Sequence, residues 1–196
     1  LMYFNCDQKD NVHFFYTLPF TKNKALIETT WLPKFDDESL KDYDAQIEKY
    51  IKQTLGIQKY KINFQEKEAI PLFYPSLTKK INTMNIGSAD CMTRLSTGYT
   101  FLNIQEHSKY IRENIDTIVN TKTYTIGKKY KFLDLVFLRV LKKYPEKMPD
   151  IFLRMFKNKA NTIIKFLSNK SNILEDLLII LKMPKWVFIK AIFKND

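Results

Sequence analysis

Glycine is scarce in this chain. Only four of its 196 residues are glycine and seven are proline, which argues against a fold dominated by loops. Cysteine is nearly absent too. Cys6 and Cys91 stand far apart and match no zinc or CxxC spacing, so free, mostly buried thiols in a reducing compartment are expected. There are two histidines in all, and His107 lies three residues from Tyr110 rather than in a ligand set, so no metal site is expected. No uncharged apolar run reaches the roughly 20 residues of a spanning helix. The nearest, Leu177–Phe193, is cut by Lys182, Pro184, Lys185 and Lys190. A P-loop, a nucleophile triad, a GxGxxG turn and an RNA-binding signature are all missing, which leaves nucleic acid without support as a partner. No signal peptide opens the chain. Leu1-Met2-Tyr3-Phe4 reads like the inside of a strand, so the expectation is the C-terminal portion of a longer chain.

What is present is apolar and aromatic. The chain is 45% hydrophobic and 14% aromatic, the composition of a globular domain or of a large piece of one. The net charge of +11 is unevenly placed: residues 1–120 hold 15 basic and 15 acidic side chains, residues 121–196 hold 17 and 6. Such a basic half suits a surface that meets phosphates, and it equally suits lysine-rich helices that merely keep a chain soluble.

The pattern along the chain is α+β. His13–Phe20 and Ala25–Trp31 are rich in β-branched and aromatic residues and read as a hairpin about a four-residue turn, Thr21–Lys24. Glu28 is a lone acid in the second strand. It sits either on the wet face of an alternating strand or on an apolar substrate face, where burial would make it a proton donor. Helical spacing from Leu40 to Leu55, with Gly56 just past the end, predicts a helix of about four turns. Tyr60, Ile62 and Phe64 alternate with polar residues and predict a half-buried strand, which leads to Glu66 and then to Pro71.

The stretch from Met84 to Phe101 holds two of the four glycines, Gly87 and Gly98. It reads as a short strand, a turn and the start of a helix running to about Asn120. Such a turn directs N–H groups and a positive helix end at an anionic group. From Tyr130 onward helices are predicted at Phe132–Lys143, Met148–Phe156, Asn161–Leu167, Ile173–Leu181 and Pro184–Phe193. Trp186, Phe188 and Phe193 stand among Lys182, Lys185, Lys190 and Lys194, a mixture that fits a lipid headgroup region as well as a helical core. From the residues alone, the catalytic candidates are Glu28 and Glu66, beside a ligand-binding turn at 87–99.

Three motifs in fixed order carry a resemblance. Phe14-Phe-Tyr-Thr-Leu-Pro-Phe20 with Ala25-Leu-Ile-Glu-Thr-Thr30, then Glu66 through Pro71, then Ile86-Gly-Ser-Ala with Arg94-Leu-Ser-Thr-Gly-Tyr-Thr-Phe101, resemble the conserved segments of the lycopene cyclase family. Phe132–Leu141, Ile164–Leu167 and Met183–Phe188 resemble that family's C-terminal helices. The resemblance implies the C-terminal part of a flavin-dependent carotenoid β-cyclase: an antiparallel substrate-binding sheet plus C-terminal helices, within a two-domain FAD flavoprotein fold whose N-terminal Rossmann segment is not in these residues. It divides the chain into substrate-domain strands and helix (1–83), a flavin-contact strand–turn–helix (84–120) and a basic helical region (121–196). It implies reduced FAD with NAD(P)H as electron source, lycopene or a related polyene as substrate, and a cytoplasmic protein peripheral to the inner face of the membrane. Glu28 and Glu66 would be the acids; Gly87, Ser88, Thr97, Gly98 and Tyr99 would contact the flavin. Other classes stay open: a non-catalytic membrane-surface module, and a related flavin-dependent oxidoreductase of isoprenoid lipids. The chain departs from the family pattern at Asp90-Cys91, where the family has two glycines, at Leu95 in place of proline, and at Glu68 in place of glycine. A Cβ and a negative charge at position 90 are expected to hinder close approach of flavin phosphates.

Overall fold

The computed structural model describes residues 2–32, 42–73, 84–116 and 126–193. It is α+β, and the chain divides into two compact units, residues 1–68 with 144–149 and residues 69–143 with 150–196.

The first unit is built on a three-stranded antiparallel sheet in the order β1 (Met2–Tyr3), β2 (Val12–Thr21) and β3 (Lys24–Leu32). The hairpin forms as expected, but its turn is tighter. Thr21 pairs with Lys24, leaving two residues at the tip, and the Thr21 hydroxyl accepts the Asn23 N–H at 3.2 Å. One face of the hairpin packs against α1 (Tyr43–Lys49) and the π-helical turn Tyr50–Thr54 that continues it. Phe15 stacks on Tyr50 at 4.2 Å between ring centres. Gln46 Oε1 accepts the Trp31 indole N–H at 2.8 Å and the Thr29 hydroxyl at 3.2 Å. His13 lies flat on Trp31 at 3.9 Å, and burial pulls its pKa below the usual histidine value. Gly56 ends the helix with φ +71°, the left-handed conformation expected just past a helix end.

The predicted strand at Tyr60–Phe64 does not form. Residues 56–71 carry no regular structure, and Ile62 and Phe64 are exposed. Alternation makes a strand only where a neighbouring edge supplies hydrogen bonds, and the described sheet pairs only β1, β2 and β3. The expected helix start at Leu40 lies outside the described residues.

The second unit is helical: α2 (Phe101–Glu113), α3 (Lys128–Lys143), α4 (Met148–Phe156, within this unit from Asp150), α5 (Ala160–Leu167), α6 (Ile173–Lys182) and α7 (Lys185–Phe193). The predicted C-terminal helices therefore all form. α2 ends at Glu113 rather than near Asn120, and residues 117–120 fall outside the described ones. Phe137 of α3 meets Phe152 edge-on at 5.6 Å and Phe188 of α7 at 6.4 Å, around a core that includes Val140, Ile151 and Met155. Asn172 and Glu175 close a reciprocal capping box at the start of α6, both bonds 2.9 Å. Among the described residues no helix is long and apolar enough to cross a membrane.

Candidate functional site

The stretch from Met84 to Thr100 is less regular than a strand followed by a turn. Residues 84–86 form no strand, Gly87–Asp90 make one turn of 3-10 helix, and Cys91 follows in the left-handed region at φ +61°. Gly87 has φ +61° and Gly98 φ +69°, so at both positions the backbone conformation itself favours glycine. The segment 94–99 is a loop closed on itself: Arg94 N–H donates to Tyr99 O at 2.9 Å, and Gly98 N–H returns to Arg94 O at 2.8 Å. Thr97 N–H also reaches Arg94 O, Tyr99 N–H reaches Thr97 Oγ1 at 3.4 Å, and Leu95 N–H goes to Asp134.

A buried ion pair fixes this loop. Arg94 and Asp134 are both 0% exposed. The Arg94 guanidinium donates to Asp134 through Nε at 3.1 Å and Nη2 at 2.6 Å, and through Nη1 to the Phe166 carbonyl at 2.6 Å and to Asn169 Oδ1 at 3.2 Å. Its flat faces lie 5.0 Å from the Tyr130 ring and 4.8 Å from the Phe166 ring. Asp134 also accepts the Ser96 hydroxyl at 2.6 Å and the Leu95 N–H at 3.1 Å. Two buried charges are tolerable only when their donors and acceptors are satisfied in this way. Asn169 Nδ2 continues the network to Asn103 Oδ1 on α2 at 3.0 Å.

These residues are too far apart along the chain to show as a network in the sequence. The available signal was Asp134 itself, a lone acid inside the apolar run Phe132-Leu-Asp-Leu-Val-Phe137, which demands a partner. Asp90 and His107 form a second buried contact, with Asp90 Oδ2 3.2 Å from His107 Nε2. That oxygen lacks an aligned hydrogen bond, so the contact is electrostatic. Burial pushes the Asp90 carboxyl above the usual carboxylate range, and His107 acts against the shift. Asp90 is 5% exposed and turned toward α2, so its charge does not present itself at the surface of the turn.

The residues named from the sequence fall as follows. Glu28 is exposed on β3, opposite Tyr16, and accepts the Thr30 hydroxyl at 2.7 Å. Strand alternation puts it on the sheet face away from Gln46, with Phe14, Tyr16, Leu18 and Leu26. Tyr16 has its phenol pKa raised, first by burial and then by Glu28. Glu66 is exposed in the irregular segment, between Gln65, which donates to Asp44 at 2.8 Å, and Lys67, whose ammonium lies 4.6 Å above the Tyr43 ring. Gly87 and Ser88 lie in the 3-10 turn and Thr97, Gly98 and Tyr99 in the closed loop; the Ser88 hydroxyl accepts from Thr93 at 3.1 Å, and Thr100 Oγ1 lies within hydrogen-bond distance of Thr93 Oγ1 and Gly98 O. Among the described residues no cluster could hold a metal ion.

The family model for lycopene cyclase protein matches residues 1–192. The chain belongs to the lycopene cyclase family. No curated protein and no solved structure matches it. Membership in this family supports a carotenoid-cyclase-like function and implies a polyene substrate.

The backbone donors of the turn and of the helix after it differ in what they are free to bind. The N–H groups of residues 94, 95 and 97–99 are engaged internally, so they are not the donors. The first turn of α2 is different. A helix leaves its first N–H groups without intrahelical partners, and Thr100 caps none of them; its hydroxyl turns back to Gly98 O at 2.9 Å. A Cβ built on Gly98 would meet nothing within 4 Å, so open space lies over the turn. Beside it, Ser96 and Thr97 form part of the wall of an apolar cavity of about 440 Å³ among α3, α5, α6 and α7.

Proposed function

We propose that this chain works as the C-terminal part of a lycopene β-cyclase that converts the acyclic ends of lycopene to ionone rings. A proton adds to a terminal double bond, the chain closes through a tertiary carbocation, and a proton leaves a neighbouring carbon, so mass is unchanged. The observation that carries this reading is the Arg94–Phe101 turn. Its Ser96–Phe101 part keeps the family sequence, with Leu95 in place of proline, and a buried, hydrogen-bonded ion pair locks it, in a chain the family model matches over residues 1–192.

Glu28 is the acid and base of this proposal. It belongs to the hairpin face that carries Phe14 and Tyr16, and aromatic faces beside a carbocation stabilise it by cation–π attraction. Glu66 is the second acid. Gly87, Ser88, Thr97, Gly98 and Tyr99, with the uncapped start of α2, would hold FAD, whose reduced form, kept so by NAD(P)H, would supply electron density to the cyclisation. The first-turn N–H groups of α2 favour an anionic group there. The same reading makes the protein peripheral to the inner face of the membrane, where a bilayer-dissolved substrate is met. Exposed Trp186 and Phe193 among Lys182, Lys185 and Lys190 support it.

Expression of the full-length gene in lycopene-accumulating bacteria tests the reading. Cyclic carotenes of unchanged mass are expected, and Glu28→Gln is expected to abolish them. Uncyclised lycopene alone, with folded protein present, would overturn it. A product heavier by hydrogen would assign a flavin-dependent oxidoreductase of isoprenoid lipids instead. The exposed apolar and lysine-rich surface of α6 and α7 also favours a second reading, a non-catalytic membrane-surface module. Binding to anionic liposomes with no flavin absorbance in the purified protein would select it.

A further inference from the structure

The cavity beside the Ser96–Thr97 turn has no role in the acid chemistry proposed above. We propose that it is a binding site for an uncharged isoprenoid hydrocarbon, holding one end of a polyene chain within the helical unit. Its walls are apolar and partly aromatic, with Phe132, Val136, Phe137, Phe166, Phe188 and Ile189 facing a volume of about 440 Å³, within the size range of small-molecule pockets. Phe137 and Phe188, 6.4 Å apart, join α3 to α7 at this wall.

The few polar groups in the lining decide the chemical class. The Ser96 hydroxyl is committed to Asp134 at 2.6 Å, and Thr97 Oγ1 accepts the Tyr99 N–H. The charged member of the lining is Lys185, which is exposed and so marks the rim. A ligand with hydroxyl or carboxyl groups along its length would surrender their water and find only the Ser96 and Thr97 hydroxyls at one wall to replace it. A bare hydrocarbon surrenders nothing, and the same apolar walls hold water poorly. Identifying that hydrocarbon as a polyene end rests on the cyclase reading. The existence of the site does not, because binding is read without turnover.

Diphenylhexatriene, an uncharged polyene that fluoresces in apolar surroundings, is the probe. Saturable one-to-one binding to the purified chain is expected, with displacement by squalene. Ile189→Glu and Ile192→Glu each put a carboxylate at a half-exposed position of the wall and are expected to weaken binding at least tenfold. Lys185→Ala is expected to change it by less than twofold. Circular dichroism identifies any variant that fails to fold, and the other then carries the comparison. Absence of saturable binding overturns the proposal. So does unchanged binding in both folded glutamate variants, which would put the probe on the outer helical surface. Stronger displacement by farnesyl diphosphate than by squalene, lost in Lys185→Ala, also overturns it and assigns an anionic amphiphile. A chain that binds squalene but forms no ring keeps this site and loses the cyclase reading.

Discussion

Removing Asp134 tests whether the buried network holds the turn. In Asp134→Ala the Arg94 guanidinium stays fully buried and loses its Nε and Nη2 acceptors, while the Leu95 N–H and the Ser96 hydroxyl lose theirs. Breaking a buried ion pair by deleting one partner costs about 3–5 kcal/mol, because the other charge remains uncompensated. Whole proteins are stable by about 5–15 kcal/mol, so such a loss is a large part of the total. With a urea slope of about 2 kcal/mol/M, the unfolding midpoint followed by circular dichroism should fall by about 2 M. Arg94→Met/Asp134→Leu separates charge from shape. It leaves an apolar pair between the Tyr130 and Phe166 rings and is expected to recover part of the loss, the part due to the uncompensated charge. Recovery should stay incomplete, because the Leu95 N–H and Ser96 hydroxyl still lack an acceptor, which costs about 1–3 kcal/mol each where no water reaches them. A loss below about 1 kcal/mol in Asp134→Ala would mean that water reaches Arg94 and would refute the reasoning.

Asp90 gives a prediction with a definite sign. Its folded pKa lies above the ordinary value, so the folded protein holds this proton more tightly than the unfolded chain does. The stabilising contribution is present at low pH and is lost as pH rises from about 4 through the raised value. Asp90→Asn removes that loss; thermal unfolding should show a flatter profile and a higher midpoint at neutral pH, and an unchanged profile would contradict the assignment. Gly98→Ala should cost about 1–2 kcal/mol from the left-handed backbone alone, since its Cβ would meet open space. Gly87→Ala should cost about the same, because a Cβ there would make only an ordinary 3.5 Å contact with Ile104. Urea denaturation of both variants checks this, and a much larger loss at Gly87 would reveal a clash.

The helices were legible because each carries a strong local pattern, and α6 announces itself through Asn172 and Glu175 three residues apart. The hairpin was legible from its aromatic and β-branched runs. The segment Tyr60–Phe64 was not, because its alternation is that of a strand while the missing neighbour is a tertiary fact. The site was legible only through motif order. Arg94 was visible inside its motif, but its partner lies 40 residues away, and although a lone acid in the apolar run Phe132–Phe137 calls for a partner, nothing local says which one. In the sequence His107 stands alone, with no second ligand at metal-binding spacing. Its actual neighbour, Asp90, stands in a position read as part of a flavin turn, and a pairing across 17 residues, ten of them the irregular segment before α2, leaves no periodic trace.

Position 91 allows the altered half of the motif to be tested against its backbone. Cys91 is not glycine, yet it sits at φ +61° and ψ +29°. For an ordinary side chain that conformation costs about 1–2 kcal/mol, whereas glycine adopts it freely. At a position with negative φ, alanine is more stable than glycine by about 0.4–1 kcal/mol, because glycine gives the unfolded chain more freedom. The order should reverse at Cys91. Cys91→Gly is expected to be more stable than Cys91→Ala by roughly 0.5–1 kcal/mol, as the left-handed cost exceeds the entropy difference. Comparing the two variants with each other removes the contribution of the half-buried thiol, whose pKa is raised by burial and then by Asp90, because both lack it. Equal stability, or alanine ahead, would show that the backbone at 91 leaves the left-handed region in solution. Glycine ahead would mean that the chain keeps the turn its family builds with glycine, and holds it by surrounding bonds such as Met92 N–H to Gly87 O rather than by the residue at its corner.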